Sequence, residues 1–233
     1  MNLSVLLLSL VTWAGPVQDL AQAADADLPE EARMEAFDRL VAAGATDIGV
    51  VSRVALDDEG DTRKRWVAVR ALGKIQGDQA RDLLLQLSEN PEPAIRAAAV
   101  QAMGDLGDAR NSDILIAKLD DPAVIVRAGA AEALCKVGDR AAIEPLDRAL
   151  RSRGNFYRGA SLWVRRHYVA TLGCIGGRET IPVLLRALDD SDTSVQASAV
   201  LAFREVAGFS YAEGRSPDEE LAAWKRWAAD QIR

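Results

Sequence analysis

The chain has 233 residues, 49% of them apolar but only 5% aromatic, and a net charge of −7. That composition requires an aliphatic core and excludes a chain that is disordered throughout. At this length about 70% of the unfolded surface can be buried without metal or disulfide, and the acidic excess excludes a general affinity for nucleic acid, which needs many phosphate-neutralising Lys and Arg.

The N-terminus differs from everything after it. Leu3 to Leu10 is almost unbroken aliphatic, Trp13 to Pro16 interrupts the run, and Ala21-Gln22-Ala23 places small residues at the −3 and −1 positions of a cleavage site. The pattern predicts a signal peptide over residues 1–23, a mature chain beginning near Ala24, and a periplasmic or secreted protein. The run is shorter than the roughly 20 apolar residues of a membrane span, so a membrane is expected only through an uncleaved leader. No cysteine lies nearby to carry a lipid.

From residue 27 the sequence repeats. Leu40, Leu72, Met103, Leu134, Leu172 and Phe203 stand at spacings of 32, 31, 31, 38 and 31 residues. Four positions before them fall Ala36, Ala68, Ala99, Ala130, Tyr168 and Ala199; seven before fall Arg33, Arg65, Arg96, Arg127, Arg165 and Gln196. Eight before come Ala32, Lys64, Ile95, Val126, Val164 and Val195, and three after come Ala43, Ile75, Leu106, Val137, Ile175 and Val206. Apolar residues at intervals of three and four mark one face of a helix.

Each unit then reaches a turn such as Gly77-Asp78, Gly107-Asp108, Gly138-Asp139 or Gly176-Gly177 and starts a second apolar pattern, with Pro145 and Pro182 near the helix starts. There a missing N–H costs little. Two helices per unit cannot bury their apolar faces alone, so neighbouring pairs must stack. The expected fold is all-α, a right-handed α-solenoid of about six units near 27–57, 59–89, 90–120, 121–151, 159–189 and 190–207, forming an array over 24–207, with a capping loop and helix at 208–233.

Asp121-Pro122, Val126-Arg127, Ala130, Ala133-Leu134 and Gly138-Asp139 resemble the HEAT-repeat family, an armadillo-like helical class, and in particular the short bacterial repeats of phycobilisome lyases. The resemblance covers nearly all of 27–207, with the end units departing as caps do. In that family the repeated arginine and an acidic residue tie adjacent repeats together, which implies inter-repeat roles for Arg33, Arg65, Arg96, Arg127, Arg165, Asp121 and Asp190. It also implies a bacterial scaffold for protein–protein interaction. The alternative is a lyase-type or enzyme-accessory subunit that binds a tetrapyrrole or other cofactor.

Catalysis finds little to stand on. His167 is the one histidine, so neither a His-rich metal site nor the His-Glu di-iron site of HEAT-like deoxyhypusine hydroxylases can be assembled, and no nucleophile motif accompanies it. The glycines of LGCIGGRET follow a helix rather than a strand and read as a helix stop, not a phosphate loop. The expectation is no catalytic residue, no metal and no cofactor. Cys135 and Cys174 occupy adjacent units one column apart; stacked helix axes lie about 8–10 Å apart, whereas a bridge needs Cα atoms within about 7 Å. A disulfide and two buried thiols both remain open.

One stretch breaks rhythm and charge together. Between the fourth and fifth units the spacing grows by seven residues, and from Arg148 to Arg178 there are seven arginines and no Asp or Glu. Aromatics, scarce elsewhere, gather in the same stretch. The candidate partner-binding residues are Arg151, Arg153, Phe156, Tyr157, Arg158, Trp163 and Arg166, because arginine and aromatics dominate binding hot spots and insertions in repeat arrays project outward. The expected partner is a protein or acidic peptide, with the scaffold itself monomeric. The competing reading pairs these arginines with neighbouring acidic loops and uses the aromatics as filler. At the end, Ser216-Pro217-Asp218-Glu219 carries a capping-box signature ahead of a stripe of Leu221, Trp224, Trp227 and Ala228, which suits a cap over the last repeat.

Overall fold

The computed structural model describes residues 15–75 and 77–232. Residues 1–14 of the expected signal peptide lie outside the described residues. The described chain is all-α except for one two-residue hairpin.

Two compact units follow one another, one ending at Leu106 and one beginning at Gly107. The first contains helical residues 15–24 (α1), α2 (Glu30–Thr46), α3 (Gly49–Ala55), α4 (Thr62–Leu72), α5 (Asp78–Leu87) and α6 (Pro93–Leu106). Within it α2, α4 and α6 stack in succession, while α3 and α5 pack against both their neighbours. The second contains α7 (Ser112–Ala117), α8 (Val124–Val137), α9 (Ile143–Arg151), α10 (Val164–Ile175), α11 (Ile181–Ala187), α12 (Thr193–Ala207) and α13 (Pro217–Ile232). There α8, α10 and α12 stack, α9 and α11 pack on α10, and α13 covers α11 and α12. Each unit is a helical-repeat stack of the solenoid kind.

The periodic columns explain why these helices bury one face. All six anchors, from Leu40 to Phe203, and all six residues four positions earlier are at most 1% exposed. The alanines let neighbouring helices approach; Tyr168, the large exception, occurs where the insertion leaves more space, and its hydroxyl lies 3.4 Å from Asn155 Oδ1. The outer columns are less uniform, since Lys64 stands in solvent where the four later units place Ile or Val. Approach is closest at Gly73 and Gly173, where an added Cβ would fall 2.7 Å from backbone atoms of Ala102 and Ala202.

The Gly-Asp turns work as two successive devices. Gly138 closes α8 in the left-handed conformation, φ 72°, which costs glycine nothing. Asp139 then accepts a bond from the Ala141 amide at 2.9 Å and starts the 3₁₀ turn that leads into α9. Asp108 does the same for Arg110 ahead of α7. At the far end Ser216 and Glu219 form a reciprocal capping box for α13, so Trp224 is presented fully buried between Phe203 and Phe209.

Candidate interaction surface

In three repeats the periodic arginine, Arg65, Arg127 or Arg165, is a buried connector. Arg65 is inaccessible to solvent and bonds Asp58 in the loop before its own helix at 2.6 Å and Glu92 in the loop of the following repeat at 2.5 Å. Arg165 reaches Asp190 of the next repeat through both terminal nitrogens, at 3.1 and 2.5 Å, while its Nε donates to the Leu150 carbonyl at 2.9 Å. Arg127 donates to the Asp121 and Pro122 carbonyls of its own loop and forward to Asn155 Oδ1 and the Gly154 carbonyl. Arg96 donates to the Asn90 and Pro91 carbonyls. Gln196 retains the own-loop half of the pattern, with Nε2 donating to the Asp190 carbonyl at 2.7 Å. Arg33 departs from it, its buried Nε having no partner among the described residues.

Thirteen positions before the anchors stand Asp27, Glu59, Asn90, Asp121, Gly159 and Asp190, a mostly acidic column that serves the turn as well as the arginine. Asp121, Asp190 and Asn90 each accept from the backbone amide two residues on, at 2.8, 2.9 and 3.0 Å. This Asx geometry holds the loop whose carbonyls the arginine then uses. Glu59 cedes the pairing role to Asp58, and Gly159 lies in the hairpin instead.

The seven-residue insertion folds as a 3₁₀ turn (Arg153–Asn155) followed by strands β1 (Phe156–Tyr157) and β2 (Ala160–Ser161). Asn155 is its buried root: its amide donates to the Ala149 carbonyl at 2.8 Å and its oxygen accepts from Arg127. At the tip, Arg158 (φ 49°) and Gly159 (φ 80°) both adopt left-handed geometry, as a two-residue turn with the twist of a hairpin requires. Holding arginine there costs on the order of 1 kcal/mol.

The candidate binding residues separate into two sets. Arg151 is tied to Asp147 at 2.7 Å, and half-buried Phe156 lies under the Arg165 guanidinium, 4.4 Å from its ring centroid. Arg153, Arg158 and Arg166 are exposed and have no carboxylate partner among the described residues. Arg158 rests over the Tyr157 ring at 5.3 Å, and Tyr157 and Trp163 are 63% and 42% exposed. The insertion and the first turn of α10 together present three guanidinium groups without a carboxylate partner among the described residues and two exposed aromatic faces.

Beside Trp163, on α8, α10 and α12, runs an open groove of about 810 Å³ lined in part by Glu132, Lys136, His167 and Glu205. His167 places Nδ1 3.2 Å from Glu132 and meets the Trp163 ring edge-on at 5.1 Å. The Cys135–Cys174 disulfide also lines this groove, with Cα atoms 5.5 Å apart. The approach is closer than average helix packing because small residues face one another there; Thr171 donates directly to the Ala131 carbonyl at 2.9 Å. The bridge joins the repeats on either side of the insertion. Among the described residues no three His, Cys, Asp or Glu side chains converge as a metal site needs, and no helix is long and apolar enough to cross a membrane.

Residues 51–134 and 87–164 match the family described as HEAT repeats. Over residues 51–164 the repeats are HEAT repeats. The chain is similar to an engineered protein of known structure, at 18% identity and a TM-score of 0.53 over 82% of this chain and 88% of that one, a likeness of fold alone. Human deoxyhypusine hydroxylase, solved with glycerol, aligns at 18% identity over 97% and 98% of the two chains with a TM-score of 0.36. The CpcE–CpcF complex of phycocyanin lyase from Nostoc sp. PCC7120 aligns at 18% over 93% of each with a TM-score of 0.38. At those scores neither lends this chain a function. No curated protein matches the chain significantly.

Within this HEAT array the Arg65, Arg127 and Arg165 side chains connect successive repeats, whereas Arg153, Arg158 and Arg166 stand outside the period and outside the packing. Sequence reasoning grouped Arg151 with the free arginines; Asp147 four residues earlier was the signal for its pairing. It missed the groove, whose lining residues come from three repeats and share no motif.

Proposed function

We propose that the protein is an exported, non-catalytic HEAT-repeat scaffold that holds a partner protein through an acidic segment docked on the insertion. The observation that carries this reading is the set of three exposed, unpaired arginines beside exposed Tyr157 and Trp163 on a chain of net charge −7. A local cationic patch on an acidic body attracts anionic segments at one place only, which orients the partner as well as binding it. Guanidinium forks pair with carboxylates bidentately, and neighbouring aromatic faces supply apolar contact. Antiparallel pairing of β1 with β2 orders the segment around the tip, which lowers the entropy lost on docking. Export is supported by the aliphatic N-terminal run and by the disulfide, a bond that persists in oxidising compartments. The non-catalytic reading rests on the sole histidine being engaged by Glu132 and Trp163.

The test is fluorescence anisotropy with a labelled oligoglutamate peptide. The Arg153→Ser, Arg158→Ser, Arg166→Ser triple variant should lose binding while keeping its melting temperature, since exposed substitutions change stability by about 0.5 kcal/mol or less. Binding by the wild type should weaken as salt rises. A variant that binds as tightly as the wild type refutes the insertion as the docking surface.

A further inference from the structure

We infer that residues 15–24 belong to the folded, working protein, and that the export leader is removed at the Ala14–Gly15 bond rather than after Ala23. The inference rests on the export reading above and changes where the leader ends.

Three observations carry it. First, α1 stands where the second helix of a preceding repeat would. Second helices bury two residues four apart, Val51 with Ala55 starting 21 residues before the next anchor and Leu115 with Leu119 and Leu184 with Leu188 starting 19; α1 buries Leu20 and Ala24, starting 20 residues before Leu40. A disposable leader has no reason to share a structural period. Second, α1 is built into the first unit. Leu20 is 5% and Ala24 7% exposed, and Pro16, Val17 and Leu20 line one small apolar cavity with Leu40, Val51 and Ala68. Third, polar contacts fix its position: Arg39 on α2 donates to Asp19 at 2.7 Å and to Gln22 at 3.0 Å.

Cleavage after Ala23 would cut within the last turn of α1. It would remove Leu20, Asp19 and Gln22 together and open the apolar side of Leu40 and Val51 to water. Repeat arrays need terminal elements that cover the last apolar face, and α1 covers this one. Thr12-Trp13-Ala14 offers small residues at the −3 and −1 positions of an upstream site, which leaves a short leader of 14 residues against the usual range of about 15–30. Hydrolysis there consumes one water and leaves a carboxylate on Ala14 and a new amine on Gly15. The exposed start of α1 then has Pro16 in its first turn, where proline is favoured.

The experiment is intact-mass analysis of the protein recovered from the envelope and medium of expressing cells, paired with melting curves of two purified chains beginning at Gly15 and at Ala24. A mature N-terminus at Gly15, and an Ala24 chain that melts at least about 5 °C below the Gly15 chain, support the inference. An exported protein beginning at Ala24, or equal melting temperatures, overturns it and leaves the export reading standing. Intact Met1 in the cytoplasmic fraction overturns both.

Discussion

Replacing Cys135 and Cys174 together by serine should destabilise the second unit by about 4 kcal/mol. The bridge closes a loop of 39 residues, and the chain-entropy model assigns such a loop roughly 13 cal/mol/K of lost denatured-state entropy, hence about 4 kcal/mol at 25 °C. Serine is nearly isosteric and Cys174 is exposed, so little packing is lost with the bond. For a unit of this size each kcal/mol moves the midpoint by about 3–5 °C, which predicts a fall of about 12–20 °C. Differential scanning calorimetry of wild type with and without a phosphine reductant, beside the double variant, measures it. Thiol titration of the unfolded wild type without reductant should find no free thiol. The two treatments should agree, because both remove the same constraint. A reversible transition that moves by less than about 3 °C would show that stacking of α8 on α10 already confines the insertion, and that loop closure adds nothing.

Arg165→Ala should cost about 3–5 kcal/mol in urea unfolding, because it leaves Asp190 and the Leu150 carbonyl without their donor; Arg165→Lys should restore little, lacking the planar fork. Arg166→Ala, one residue on, should be nearly silent in the same assay. Acid should loosen the C-terminal cap. Bonds from Arg204, and then from the Trp224 indole, hold the Glu220 carboxyl below its ordinary value of 4.5. A lowered folded pKa means stabilisation that is complete above the ordinary value and lost as pH falls through the lowered one. Tryptophan fluorescence of the Trp224–Trp227 cluster should therefore change in that acidic window, and Glu220→Gln should abolish the dependence.

The repeat and its two-helix unit were legible in the sequence because a stacked array imposes the same burial on the same position in every unit. The anchor and alanine columns could be read one by one, and their side chains are the core. The repeated arginine was legible as structural for the same reason, although its atoms were not: the bond to the following loop is made across 25 to 28 residues, and only the stacking decides whether it ends on a carboxylate, as for Arg165, or on an amide and a carbonyl, as for Arg127. Pairing of Cys135 with Cys174 depended on how closely two helix ends approach, a distance set by Ala131 and Thr171 and invisible to spacing. The N-terminus admits two readings. Small residues at Ala21 and Ala23 suit both a cleavage site and the end of a repeat helix, and composition cannot separate the two. Burial of Leu20, which lines one cavity with Leu40, Val51 and Ala68, is a fact of the tertiary structure alone, and the inference that the helix is retained rests on it.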